Sequence, residues 1–454
     1  MIIDTNLTVP ALESGIRRLF EAAAVKIRSI EASSNPSGGS PVFTSGGRYT
    51  SRGWTEWTQG FQFGCAILEF DATGEQAFLD IGRQRTVDIM APHITHTGVH
   101  DHGFNNVSTY GNLLRLMQEG RIESNPWERR FYELALKCSG AVQASRWTNI
   151  KDGGGYIYSF NGPHSLFVDT MRTIRALAVS HRLGHALLAE NDRRVSLLDR
   201  LIHHAHATAR YSVYYGEGRD AYDIRGRVAH ESIFNTNDGN YRCPNSQQGY
   251  SPFTTWTRGL AWAMCGFAEQ LEFVATVDDE ELAPHGGRRP VEAFMRKAAE
   301  AVCDFYIDDA TASDGLPYWD TGAPGLANLK DWRSRPSDPF NDHEPVDSSA
   351  AVIAAQGLLR LGRYLENDRY WKAGLTVCRT LFAEPYLSTD PNHQGLILHS
   401  IYHRPNGWDR IPDGRKIPSA EACMWGDYHA MELALYVQRI LTNKPYYKFW
   451  SETQ

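Results

Sequence analysis

The sequence predicts an all-α fold in which a ring of inner helices is wrapped by an outer ring. Three observations carry this. Apolar residues recur at helical spacing along nearly the whole chain. The helical segments are of two alternating kinds, one apolar on most sides, as over 348–361, the other a charged amphipath, as over 290–302. A helix apolar all round must be covered on both sides and an amphipath on one, which concentric rings provide. Finally, six helical hairpins over 454 residues allow about 76 residues each, enough for two helices and a long loop.

In chain order, residues 10–30 form the first amphipath, with Leu12, Ile16, Leu19, Phe20 and Ala23 on one face. Residues 58–70 are apolar nearly all round and belong inside, and 75–89 are amphipathic again. Pairs follow at 107–119 with 127–145, 166–180 with 185–209, 254–274 with 291–307, and 348–365 with 370–382. A last inner helix over 423–440 brings the total to about a dozen. Thr254 or Thr255 is the expected cap of its helix. The loops 31–52, 101–106, 152–163, 214–250, 309–345 and 391–418 are long and rich in Gly, Pro, Asn and aromatics. Loops of this length in a compact domain usually carry function. Within one of them, 228–234 reads as a strand beside the barrel mouth. The Ser/Gly-rich tract 33–40 is a flexible loop rather than a domain linker, so residues 1–454 read as one domain.

Apolar residues at 42% and charged residues at 22% exclude disorder as the main description. Lys+Arg total 46 against Asp+Glu 53, so no basic surplus exists to hold nucleic acid. The start lacks a basic segment followed by an apolar one, and no stretch approaches the roughly 18 apolar residues of a membrane span. A cytoplasmic protein without a membrane partner is expected, monomeric or weakly self-associating. The seven cysteines are scattered, odd in number and without a CxxC pair, which fits reduced thiols. The 12 Trp, 21 Tyr and 19 Phe suit either an aromatic-lined carbohydrate cavity or a bulky core.

Three constellations can carry chemistry. The first is His100-Asp-His-Gly-Phe-Asn-Asn106, where Asp101 sits by a glycine turn before an inner helix, as a stabilised carboxylate or a plain cap. His96, His100 and His102 lack a metal-ligand spacing, so no metal and no cofactor are expected. The second is Ser165-Leu-Phe-Val-Asp-Thr-Met171. Its Asp169 lies among apolar neighbours, where burial should raise its pKa and make it a general acid. The alternative is a buried aspartate satisfied by backbone N–H groups. The third runs from Gln248 to Trp262, with Arg258 and Trp262 one helical turn apart. An arginine near a helix start beside two tryptophans suits an anionic sugar, or else a structural pair with a protein carboxylate. Aromatic and acidic groups at Trp54–Phe61, Tyr318-Trp-Asp320 and Trp425-Gly-Asp-Tyr428 would join them at one end of the barrel.

Taken in order, these motifs resemble those of the unsaturated glucuronyl hydrolases of glycoside hydrolase family 88 and, at greater distance, the unsaturated rhamnogalacturonyl hydrolases of family 105. The matching stretches are W-T-x-G-F at Trp57–Phe61, H-D-x-G-F at His100–Phe104, Asp169 within 167–171, A-H at Ala229–His230, and Q-G-Y at Gln248–Tyr250. They continue with W-x-R-G-x-A-W at Trp256–Trp262, Y-W-D at Tyr318–Asp320, D-S-S-A-A at Asp347–Ala351 and W-G-D-Y at Trp425–Tyr428. The resemblance implies an (α/α)6 barrel without a metal. Its implied substrates are lyase-generated oligosaccharides whose non-reducing end is a 4,5-unsaturated uronic acid. It assigns the acid/base role to Asp169 and a second essential role to Asp101. Uronate contacts fall to His230, Gln248, Arg258 and Trp262, with an aromatic wall at Trp57. The chain departs from the family pattern at Gln62, at Leu260 and over 170–173. A saturated β-glucuronidase, a sugar isomerase or epimerase using His100 and His230, and a sugar-binding protein without turnover are the competing readings.

Overall fold

A computed structural model describes residues 1–33, 35, 38–52 and 56–451. Trp54 and part of the 33–40 tract therefore lie outside the described residues. Apart from short helical turns in the loops, the described helices alternate between two concentric rings. The outer ring comprises α1 (Glu13–Ser33), α3 (Gln76–Ile89), α5 (Pro126–Ser145), α7 (Leu197–Tyr211), α9 (Arg288–Phe305) and α11 (Asp368–Leu381). The inner ring comprises α2 (Gln59–Thr73), α4, α6, α8 (Thr257–Val274), α10 (Ser348–Tyr364) and α12 (Met424–Leu441). Here α4 runs from His102–Asn106 through a π-helical turn, Val107–Gly111, into Asn112–Gln118. The shorter α6 joins Thr170–Thr173 to Arg175–Arg182. Each inner helix packs on its inner neighbours and the ring closes through α12 and α2, which is the (α/α)6 barrel.

The two predicted kinds of helix are the two rings. All eighteen residues of α8 are buried, as an inner helix requires. By contrast, α9 buries Val291, Met295, Ala298, Ala299, Ala301, Val302, Cys303 and Phe305 and turns the rest outward. Close approach of inner helices explains two motif glycines. A Cβ on Gly60 would lie 2.4 Å from the carbonyl oxygen of Asn105, and one on Gly103 would lie 2.1 Å from that of Thr173. Backbone atoms cannot yield to such contacts, so only glycine brings α2, α4 and α6 together.

Short hairpins pair β1 (Phe43–Ser45) with β2 (Arg48–Thr50) and β3 (Trp147–Asn149) with β4 (Gly155–Ile157). The structure corrects several sequence expectations. Residues 165–167 form strand β5 rather than a helix start, and 185–196 form the hairpin β6 (Ala186–Leu188) and β7 (Arg194–Ser196). Asn191 and Asp192, both at φ 58°, make the turn that breaks the expected helix, and Ser196 then caps α7 by accepting the Asp199 N–H at 3.2 Å. The expected loop over 101–106 is already helical from His102. Neither Thr254 nor Thr255 caps α8, because Trp256 holds that position and Thr255 Oγ1 accepts the Val228 N–H instead. The strand expected over 228–234 is present as β8 (Glu231–Phe234), between β5 and β9 (Tyr241–Asn245). Among the described residues all seven cysteines are free, and no helix is long and apolar enough to cross a membrane.

Candidate active site

At one end of the barrel the loops enclose a cavity of about 430 Å³. Its walls include Trp57, Phe104, Phe160, Trp256, Trp262, Tyr402 and Trp408, with Asp101, Asp169, His100, Gln248 and Arg258 as polar groups. The volume and the mix of apolar walls with a few polar groups suit a small organic ligand.

Backbone pairing assembles the floor. Strand β5 runs antiparallel to β8 with Phe167 opposite Glu231, and Val168 N–H then donates to the His230 carbonyl at 2.9 Å. That register sets His230 beside Asp169. Asp169 leads into α6 and Asp101 into α4, and Gly103 lets those two helices touch. His100 is the hub, with its Nε2 3.8 Å from Asp101 Oδ1 and 3.7 Å from Asp169 Oδ1. Both separations exceed hydrogen-bond reach, yet both are close enough for charges to interact strongly in a buried site. Both His100 ring nitrogens and Asp169 Oδ1 are buried without a hydrogen-bond partner. Orphaned polar atoms are costly in a core and mark a place for a ligand.

The protonation pattern differs from the sequence expectation for Asp169. Burial pushes its carboxyl up, as expected, but His100 and then His230 outweigh it and hold Asp169 below the ordinary aspartate range. Asp101 moves the other way: burial raises it, the Asp169 charge adds to that, and His100 only partly opposes them. Burial lowers His100, but Asp101 and Asp169 more than reverse this and raise it. The apolar neighbours of Asp169 are visible in the sequence, whereas His100 is brought to it from another loop. The three groups titrate as one cluster.

His230 stands behind the cavity wall, its ring 4.5 Å from Phe167 and 4.6 Å from Trp256 between centroids. Its Nδ1 accepts the backbone N–H groups of Gln247 at 3.0 Å and Gln248 at 3.4 Å. Burial lowers its pKa to about 4, so the ring is neutral and carries its proton on Nε2.

Arg258 lines the cavity, but protein groups occupy its guanidinium. Nη1 donates to Asp347 Oδ2 at 3.0 Å and to the Ile401 carbonyl, and Nη2 donates to the Tyr402 carbonyl at 2.7 Å and to Gln248 Oε1 at 2.8 Å. The plane also lies over Trp256 and Trp425, 4.6 and 4.9 Å from their centroids. The guanidinium thus makes a pair with a protein carboxylate, Asp347. A consequence for the site follows, since Arg258 fixes the Gln248 amide with its oxygen turned away and its NH2 group left as the donor. Trp57 stacks on Trp425 at 5.0 Å and 25°, and Trp262 packs on Phe104 at 4.8 Å.

The remaining motif carboxylates serve the frame. Asp320 accepts the Tyr250 N–H at 2.8 Å and so holds the Gln248–Tyr250 turn, while Asp427 accepts the Leu396 and Ile397 N–H groups. Gln62 and Leu260, where the chain departs from the family pattern, do not line the cavity. Phe160, Tyr402, His403 and Trp408 do, and sequence reasoning did not single them out. Their only signal was membership of the long loops 152–163 and 391–418.

No protein-family model matches the chain. It is 24% identical over 388 residues to an unsaturated glucuronyl hydrolase of Formosa agariphila, covering 85% of this chain and 81% of that one. It is 25% identical over 420 residues to an unsaturated glucuronyl hydrolase of Bacillus sp. strain GL1, covering 89% and 91%. The crystal structure of an unsaturated glucuronyl hydrolase from Bacillus sp. GL1, described as responsible for the degradation of glycosaminoglycan, superposes with a TM-score of 0.71 at 20% identity, over 97% of this chain and 100% of that one. The chain is thus similar to the unsaturated glucuronyl hydrolases along nearly its whole length, in sequence and in fold.

Proposed function

We propose that this chain, acting as one catalytic domain over 1–454, is a glycoside hydrolase of the unsaturated glucuronyl type. It removes a 4,5-unsaturated uronic acid from the non-reducing end of oligosaccharides left by polysaccharide lyases. The observation that carries the reading is the floor of the cavity, where two carboxyls flank one buried histidine with orphaned polar atoms beneath aromatic walls. The C4–C5 double bond of the substrate is conjugated to the ring oxygen as a vinyl ether. Asp169 donates a proton to C4, and positive charge develops at C5 and the ring oxygen. A carboxylate of the cluster then activates water for attack at C5. The product is a hemiketal that opens and releases the rest of the chain. No nucleophile is needed at the anomeric carbon, and no step calls for a metal.

Burial and His100 together leave Asp169 low and Asp101 high, so a second assignment has an observation behind it: Asp101 as the proton donor. The first assignment is preferred because Asp169 holds the orphaned oxygen; an anionic uronate raises the proton affinity of the cluster, Asp169 included, and so offsets its low resting value. The uronate carboxylate meets neutral donors, the Gln248 amide foremost, with Trp57 and Trp262 against the sugar faces. Arg258 and His230 act one step back, fixing Gln248 from its side chain and its backbone. The enzyme works in the cytoplasm, with no nucleic-acid or membrane partner.

The test is incubation with a panel of lyase-generated unsaturated disaccharides, followed by ultraviolet absorbance of the conjugated uronate. Absorbance should fall as each substrate is hydrated. Cleavage of saturated glucuronides with unsaturated ones left intact would establish the β-glucuronidase reading instead. A new epimer in the NMR spectrum without glycosidic cleavage would establish the isomerase reading.

A further inference from the structure

The segment before α9 folds into a 3-10 turn, Ala283–His285, closed by Gly286 N–H to the Ala283 carbonyl at 3.1 Å and Gly287 N–H to the Leu282 carbonyl at 3.0 Å. The turn sets His285 against the first turns of the neighbouring outer helix α7. There Asp199 and His203 are four residues apart and share a face. Asp199 Oδ1 lies 3.3 Å from His203 Nε2 and 3.7 Å from His285 Nε2, and one ligand atom from each of the three lies within 4.8 Å of the other two. These separations are longer than a good N–H···O hydrogen bond. A four-coordinate ion with bonds of about 2.0–2.1 Å holds its ligand atoms about 3.3 Å apart. The two edges from Asp199 to the imidazoles therefore already stand near those of a coordination tetrahedron, and the third, between the histidines, is within 4.8 Å. The His285 side chain is 8% exposed, whereas those of His203 and Asp199 are 35% and 43% exposed, so the fourth side opens to solvent.

We propose that Asp199, His203 and His285 form a site for a first-row transition-metal dication, zinc foremost, that staples α7 to the turn before α9. Two imidazoles and one carboxylate select zinc, cobalt or nickel over calcium or magnesium, which require oxygen ligands. The same cleft is rimmed by Arg193, Arg194 and Arg200. Their charge raises the cost of any cation there, so only an ion that gains from imidazole nitrogen competes. None of the three ligands lines the sugar cavity, so the ion is structural and takes no part in the proposed hydrolysis.

The full-length, tag-free chain, stripped with a chelator, is titrated with zinc by calorimetry and with cobalt by visible absorption. One ion per chain is expected, with the intense visible bands of four-coordinate cobalt, displaced by zinc. At free zinc about 100 times Kd the melting midpoint should rise on the order of 3 °C. His203→Ala and His285→Ala should each weaken binding on the order of tenfold or more, with disaccharide turnover unchanged. Should His203→Ala fold poorly, His285→Gln, on a surface turn, makes the same measurement. No binding heat, weak six-coordinate cobalt bands, or binding that survives the histidine substitutions would each overturn the site.

Discussion

Asp101 and Asp169 share a single histidine, and that sharing governs what their substitution does. Asp169→Asn keeps the shape and removes the transferable proton, so kcat/KM should fall on the order of 10²–10⁴ with substrate binding largely kept. Asp101→Asn removes one of the two charges that raise His100 and should cost activity as well, and a smaller loss than at Asp169 would place the donor at Asp169. The reverse order would move the donor to Asp101. Because the donor must carry its proton, kcat/KM should fall as pH rises and the cluster gives up its last proton, with His100 raised above the ordinary histidine value. Stopped or continuous ultraviolet assays across pH decide both points. Arg258 calls for a different measurement. Its guanidinium joins Asp347, two backbone carbonyls and Gln248, and Asp347 in turn caps α10 through the Ser349 and Ala350 N–H groups. A lysine cannot span that fork. Arg258→Lys should therefore lower the melting temperature, with loss of a fully buried pair costing about 3–5 kcal/mol, and raise KM through the freed Gln248. A raised KM at an unchanged melting temperature would show instead that Arg258 holds the uronate directly.

At the scale of the helix, α2 carries a cost that the sequence alone did not advertise. Glu69 is fully buried, both of its carboxyl oxygens lack a hydrogen-bond partner, and burial raises its pKa to about 8, with Glu75 adding to the shift and Arg28 opposing it. In the unfolded chain this carboxyl titrates near its ordinary value of 4.5. Between these two values the native state binds the proton that the unfolded state has lost. Stability therefore falls as pH rises from about 4.5 towards 8, by about 1.4 kcal/mol per pH unit at full effect. Glu69→Gln should remove that slope and raise the melting temperature at pH 8 more than at pH 5, measurable by scanning calorimetry at the two values. The helices themselves were legible because all-round burial and one-sided burial leave different apolar patterns. The two-ring arrangement follows from that difference, as α8 and α9 illustrate. What was hidden lay where tertiary contacts override local pattern. The apolar run at 165–167 reads equally as helix or strand until β8 is beside it, and Asn191–Asp192 turn a charged amphipath into a hairpin. The acidic motif residues and His100 are legible in the sequence, but the approach of His100 to Asp169 and the place of Trp408 in the same cavity come from loops whose spatial return no linear spacing encodes.

Closing six hairpins into one ring requires the inner helices to be tied below the cavity as well as around it, and an ionic cluster does this. Arg172 donates to Glu269 at 2.6 Å and to Glu432 at 2.7 Å, Arg175 reaches Glu432 at 3.4 Å, and Arg360 donates to Glu272 at 2.7 Å. The side chains of Arg172, Arg175, Arg360, Glu269 and Glu432 are fully buried. They come from α6, α8, α10 and α12, so one network ties four of the six inner helices. Arg172 belongs to the stretch 170–173 where the chain departs from the family pattern, and the structure supplies its reason, a cation matched by acids on two other helices. Burial raises Glu432, but Arg172 and then Arg175 overwhelm that and hold its carboxyl far below the ordinary range. The sign is therefore opposite to that of Glu69. Its contribution is present above the unfolded value near 4.5 and is lost as pH falls through the depressed native value. Glu432→Gln leaves Arg172 and Arg175 facing each other across an uncharged amide, so it should destabilise the barrel by about 3–5 kcal/mol at pH 7. Because Arg172 lies one turn after Asp169, the loss should also reach the site, lowering turnover per folded molecule while leaving the order of substrate preference unchanged. Chemical denaturation at pH 7 and pH 4, with turnover measured on the folded fraction, tests this. Wild-type stability at pH 7 in the Gln variant would show that the cluster is neutral to the fold and that apolar packing alone closes the ring.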